Sequence, residues 1–268
     1  MIIEDIILSN DKKGISKLKK YLNKNFCENA TKYILQNCAR TIIVTGYYVN
    51  GTCETDGLVG AINLAGVLSN LGADITFITD KYCFNILQNI QDFPVIEFPL
   101  GKVKEDFIDK IIKKINPSLV ISIERAGVSL NNRYYNFKGQ DITEFTGKID
   151  ILFEKIGYSV SIGDTGNEIG MGNLYKEIIK ENIYPKPSII KSRHLVLSSI
   201  SNWGCYGLIA YISKLTKKDY LSKIEDLQIL KKLNSLGVVD GITKRSEPTV
   251  DTYSIKETKK ILEHLKSC

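Results

Sequence analysis

The 268-residue sequence is poor in the residues from which many metal and cofactor sites are built. It has two histidines and six cysteines, at positions 27, 38, 53, 83, 205 and 268, with no C-x-x-C pair. That composition argues against a structural zinc site and predicts reduced, mostly buried thiols. No apolar run approaches the ~18 residues that cross a bilayer, so no membrane partner is expected. Glu4 and Asp5 stand where a signal peptide would carry positive charge, and a cytoplasmic location is expected. There is no G-x-G-x-x-G turn and no lysine-bearing Walker loop, which argues against the common backbone cradles for nucleotide phosphates. Arginine is scarce too, at five of the 36 basic residues. The lysines of KLKKYLNK, KIIKK and KLTKKD alternate with apolar residues at helical spacing, as on solvated helix faces. The net charge of +6 therefore does not point to nucleic acid.

What is present reads as an α/β chain. Residues 1–40 predict a helical segment packed on the body as an outer layer, with Ile15, Leu18, Leu22, Phe26 and Ala30 at spacings of three and four. From Thr41, β-branched runs alternate with helical stretches of about ten or more residues, and strands are expected to begin near residues 41, 73, 95, 119, 158 and 194. Such alternation implies right-handed crossovers and a Rossmann-like, doubly wound, mainly parallel sheet with helices on both faces, over 41–268. Ligands of such sheets sit beyond the carboxyl ends of the strands, which selects the loops 46–57, 124–148, 163–173 and 201–204. The second of these is longer than most connections in compact domains and reads as a lid or binding loop.

Each loop has a functional and a structural reading. In GTCETDG, Glu54 and Asp56 are acids or metal ligands at the site mouth, or else a helix cap and a solvated neighbour. In ERAG, Arg125 grips a substrate carboxylate bidentately or forms a buried pair with Glu124. In GDTGNEIGMGN, Asp164 caps a helix with Asn167 and Glu168 in its first turn, or is catalytic. The density of Gly163, Gly166, Gly170 and Gly172 favours close approach to a ligand, with amides aimed at an oxyanion. In SNWGCYG, Ser201 and Asn202 face the ligand while Trp203 is core, and the charged loop VDGITKRSEPTVD, with Asp240, Lys244, Arg245, Glu247 and Asp251, is a surface loop or a wall of the site.

The motifs ETDG, ER-G, RYYN--G-DI, GDTGNEIGMGN, SNWG-Y and VDGIT-R-EPTVD, in this order over roughly residues 41–255, resemble the C-terminal domain of D-glutamate cyclases and their bacterial relatives. The sequence departs from that pattern at Thr165, at Ala126 and at Leu58 and Val59, where the family usually has glycine, proline and a Pro-Pro pair. Full cyclases of this kind carry a further hydro-lyase-like domain ahead of this one. The resemblance implies conversion of D-glutamate to 5-oxo-D-proline with loss of water. Its chemistry needs a base, an acid and an oxyanion stabiliser but no required cofactor. Arg125, with Arg245 second, is then expected on the substrate carboxylates, beside Glu54, Asp56, Gly163, Gly166 and Asn202. Asp164, Glu168, Asn167 and Glu124 are then the expected catalytic residues, with Asp164 or Glu168 moving protons. Several acids in one pocket would alternatively hold Mg²⁺ or Ca²⁺. Two rival readings stand beside this one: a non-catalytic module binding an amino acid or phosphorylated metabolite, and a metal-dependent phosphate-ester hydrolase. A homodimer is kept as an option.

Overall fold

Six apolar runs rich in Ile, Val and Leu form the central sheet of the computed structural model, which describes residues 2–268. They are β1 (Arg40–Val44), β2 (Asp74–Thr79), β3 (Val95–Glu97), β4 (Leu119–Ile123), β5 (Ser159–Gly163) and β6 (His194–Leu197). Each begins within one residue of its expected position. All pair in parallel, in the order β3-β2-β1-β4-β5-β6. That is the doubly wound order, with its reversal between β1 and β4.

Side chains alternate between two apolar layers, as the pleat requires. Ile43, Ile75, Phe77, Leu119, Ile121 and Ile123 enter the larger core, whereas Ile42, Val44, Ile78 and Val120 enter the smaller one behind the sheet. The ten α-helices among the described residues are α1 (Ile3–Ile7), α2 (Phe26–Asn37), α3 (Leu58–Asn70), α4 (Lys81–Ile90), α5 (Glu105–Ile115), α6 (Ile151–Ile156), α7 (Tyr175–Lys180), α8 (Ser201–Thr216), α9 (Asp226–Ser235) and α10 (Ile255–Lys266). α2, α3 and α8 supply the larger core, and α5 and α6 cover the opposite face with Ile108, Ile111, Leu152 and Phe153. No helix among the described residues is long and apolar enough to cross a membrane.

The N-terminal helical expectation resolves into three short pieces: α1, a 3-10 turn at Ile15–Tyr21, and α2. The break after α1 has a local cause. Asn10 and Gly14 take positive φ, and the Asp11 carboxylate accepts hydrogen bonds from the amides of Lys13, Gly14 and Ser16. This Asx-type turn leaves Lys13 pointing into the protein rather than along a helix face. Residues 201–204, expected as a loop, are instead the first turn of α8.

Candidate active site

At the carboxyl ends of β1, β4 and β5 the chain buries six carboxylates: Glu54, Asp56, Glu124, Asp164, Glu168 and Asp251. Glu124 follows β4 and Asp164 follows β5 directly, while Glu54 and Asp56 come after the small hairpin of Tyr48–Val49 and Thr52–Cys53. One oxygen from each of Asp56, Glu124 and Asp164 lies within 4.8 Å of the others. Asp251 arrives from the far C-terminal hairpin of Thr249–Val250 and Tyr253–Ser254.

The cation among them is Lys13. Its Nζ lies 2.6 Å from Asp164 Oδ2 and 2.5 Å from Asp251 Oδ2. Burial works to lower its pKa, but Asp164 and Asp251, with Glu124 and Asp56 beyond, hold it well above the usual lysine value. The carboxyls shift upward. Glu54 is raised by burial and then by Asp251 and Asp56; Asp56 by burial, Asp164 and Asp251; Glu124 by burial, Asp164 and Glu168. Burial also raises Asp251 against the pull of Lys13. Glu168, raised by burial and by Asp164, reaches about 7. Carboxyls crowded out of water retain protons because neither desolvation nor like-charge neighbours favour the anion.

Several acids also have fixed supports. Asp56 accepts the Ser201 amide at 3.0 Å and the Asn202 amide at 2.9 Å, capping α8 from a distant loop. Ser201 Oγ donates to Glu124 at 2.6 Å. Glu124 itself sits at φ +44, and Asp251 and Thr252 follow at +49 and +71. Left-handed backbone at non-glycine residues, a β-branched threonine included, is strain of the kind that gathers at functional sites. A Cβ on Gly241 would fall 1.7 Å from Glu54 Oε2, so only glycine lets that carboxylate lie where it does.

Three of these acids, Glu54, Glu124 and Asp251, line a narrow recess of about 20 Å³ together with Lys13, Tyr47, Phe137 and Asn167. It adjoins a wider cleft of about 490 Å³ that shares Tyr47, Glu54 and Phe137 and adds Lys138 and Lys244. The 124–148 loop supplies the wall from Asn136 to Phe145. Asn167 anchors that loop, donating from Nδ2 to Tyr47 Oη at 2.5 Å and to the Tyr135 carbonyl at 2.8 Å.

Glu54, Asp56, Glu124, Asp164, Asn167 and Glu168 are thus brought together, and four expectations need correcting. Arg125 is buried away from solvent, donating to Asp80 Oδ2 and the Gly46 carbonyl at 2.6 Å each and to the Gly147 carbonyl at 3.0 Å. Its fork holds the lid loop to β1 and β2, pairs with Asp80 rather than Glu124, and is not open to a substrate. Arg245 is exposed and pairs with Glu247. Asn202 spends its amide on the Gly60 amide and the Thr55 carbonyl. The glycine-rich turn is not an oxyanion cradle either. Thr165 and Gly166 amides donate to Glu168, the Ile169 amide to Arg125, and the Gly170 and Gly172 amides to Ile190. Its glycines answer packing: a Cβ at Gly163 would press on Glu168, and one at Gly166 would lie 3.0 Å from Tyr184 Cβ. Lys13 was not among the expected site residues, and Asp251 was expected only as part of a loop read as surface or site wall. The turn-forming NDKKG and the charged VDGITKRSEPTVD were the available signals.

Residues 3–266 match the family described as D-glutamate cyclase-like, C-terminal. The chain belongs to that family. The match takes in the N-terminal segment that delivers Lys13, which lies outside the 41–255 stretch of motifs, as well as the C-terminal loop that delivers Asp251. The human mitochondrial D-glutamate cyclase is 29% identical over 201 residues, covering 65% of this chain and 32% of that protein. This member of the family therefore spans about a third of the length of the curated relative it matches.

Proposed function

We propose that this chain is a cyclase of the D-glutamate type, closing D-glutamate on itself to give 5-oxo-D-proline and water. The observation that carries the reading is the burial of Glu124 and Asp164 beside Glu168 at the ends of β4 and β5, with Glu168 held near neutral pKa. In the reaction the α-nitrogen forms a bond to the carbonyl carbon of the γ-carboxyl and loses its protons to a base, while the hydroxyl of that carboxyl takes a proton from an acid and leaves as water. Carboxyls that hold protons at neutral pH serve both steps, as donor in one protonation state and acceptor in the other. Glu124 and Glu54 line the recess, and Glu54 also lines the wider cleft, so these are the carboxyls that face substrate; Asp164 is off the recess wall and pairs with Lys13, which is on it. Because nucleophile and electrophile belong to one molecule, a cleft that holds glutamate folded supplies much of the acceleration. Lys138 and Lys244, both beside the Phe137 ring, are the cations that meet carboxylates at the mouth.

The test is incubation of the purified chain with D-glutamate, then chiral chromatography for 5-oxoproline, with L-glutamate as control. Asp164→Asn is expected to lower turnover by about a hundredfold or more, the scale of a lost acid or base. D-glutamate that raises Tm without giving product would make the chain a binding module instead.

A further inference from the structure

The anchor of the lid loop leaves one atom over. Asn167 is 3% exposed and lines the recess, and its Nδ2 donates to Tyr47 Oη at 2.5 Å and to the Tyr135 carbonyl at 2.8 Å. Chemistry fixes which way the amide faces, because a carbonyl only accepts: turned over, the side chain would set Oδ1 against the Tyr135 oxygen. Oδ1 is thereby left for the recess, and it has no hydrogen-bond partner among the described residues. A buried acceptor without a donor is costly. The donors on the same wall are already spent: the Tyr47 hydroxyl on the Tyr135 carbonyl, the Thr165 hydroxyl on Asp164, and the Lys13 ammonium on Asp164 and Asp251.

What fits there is a small, positively charged donor. The recess, at about 20 Å³, is little larger than the ~10–15 Å³ that one water-sized group needs. It has room for an ammonium head but not for a carboxylate, which its acids would also repel. Burial and like-charged neighbours raise the pKa values of Glu54 and Glu124 on its wall, and an ammonium is the counter-charge that favours their anions. Lys138 and Lys244, the cations suited to carboxylates, line the wider cleft instead, which shares Tyr47, Glu54 and Phe137 with the recess. We infer that the recess is the seat of a primary ammonium, the α-ammonium of an amino-acid substrate, with Asn167 Oδ1 as one acceptor and the Glu54 and Glu124 carboxylates as the others. Which amino acid brings the ammonium rests on the cyclase reading; the seat does not. In cyclisation the same contacts place the proton to be lost beside its acceptor: an N–H bond breaks, an O–H bond forms on one of the two carboxylates, and the freed nitrogen lone pair attacks the carbon of the γ-carboxyl.

The experiment takes apparent affinities of the full chain from Tm across concentrations of three ligands. They are D-glutamate, glutarate, which lacks the amine, and N-methyl-D-glutamate, whose methyl group the recess has no room for. D-glutamate is expected to bind about a hundredfold tighter than glutarate and about tenfold tighter than the N-methyl compound. Asn167→Ala should bring the first ratio down about tenfold. Tyr47→Phe loosens the same anchor but keeps Oδ1, and should weaken both ligands while preserving their ratio. Equal wild-type affinity for D-glutamate and glutarate would overturn the inference and make Asn167 a lid anchor beside a water site. Equal affinity for the N-methyl compound would put the amine outside the recess, and a ratio lost as fully in Tyr47→Phe would mean that Asn167 acts through the lid alone; either overturns it. Should Asn167→Ala not fold, the wild-type series decides. A chain that makes 5-oxoproline yet binds glutarate as well as D-glutamate would sink the seat and leave the cyclase reading standing. Amine-dependent binding without 5-oxoproline would do the reverse.

Discussion

A guanidinium taken out of water costs several kcal/mol unless its donors are met, and Arg125 meets Asp80, Gly46 and Gly147 in the dry space beneath the 124–148 loop. Its task is to tie that loop to the ends of β1 and β2. Arg125→Ala should therefore cost about 3–5 kcal/mol, the scale of breaking a buried pair and stranding Asp80. Arg125→Lys should recover only part of it, since an ammonium cannot span three acceptors. Urea denaturation of both variants checks this; full stability with a raised KM would return Arg125 to substrate binding. Lys13 shows the opposite case, in which a residue from a turn-forming stretch becomes the enclosed cation of the site because Asp11 folds that turn inward.

At the scale of elements, the turn after β5 is a packing device. Gly170 has φ +98, and a Cβ there would lie 1.6 Å from Ser161 Oγ, inside the strand the turn folds back upon. Gly170→Ala combines backbone strain with overpacking and should destabilise by about 3 kcal/mol or more. A loss below about 1 kcal/mol in chemical denaturation would mean the turn has room that its contacts deny. The C-terminal element is held differently. Ser254 caps α10 in a reciprocal capping box with Glu257, and this fixes the hairpin that positions Asp251. Ser254→Ala should cost about 1 kcal/mol, with hydrogen exchange rising first at the start of α10.

For the whole molecule, the site and the surface pull stability in opposite directions with pH. Asp141, Glu181 and Glu257 have lowered pKa values: at Asp141 burial opposes hydrogen bonds from Thr143 and the pull of Arg133, while Tyr21 and Lys20 lower Glu181 and Ser254 lowers Glu257. What they contribute is present above ordinary carboxylate pKa values and lost as pH falls. Glu168, raised from 4.5 to about 7, has the reverse sign, as do Glu54, Asp56 and Glu124. Their native forms hold protons that the unfolded chain releases, so their contribution is full below about 4.5 and is lost as pH rises through the raised values. The protein should accordingly lose stability from pH 5 to pH 8, by up to ~1.4 kcal/mol per pH unit for each titrating carboxyl, with Tm falling in step. Glu168→Gln should flatten that slope, and a Tm that climbs across the same interval would contradict the charge state argued for the site.

The sheet was readable from the amino-acid order because its determinants are local. β-branched runs at strand period, helical stretches between them and polar residues at strand ends are set by neighbours along the chain. The same rule picked out Glu54, Asp56, Glu124 and Asp164, which stand in or close to strand-end loops that a parallel topology must bring to one edge. Tertiary structure alone decided what those residues meet. Lys13 reaches Asp164 across 151 positions and Asp251 across 238, and no spacing rule links such distances. Arg125 chose Asp80 over its neighbour Glu124, and Glu168 claimed the amides that glycine density suggested for a ligand. Such pairings depend on which buried group lies within hydrogen-bond reach once the layers close. Most buried donors and acceptors are then satisfied by whatever the fold has placed beside them.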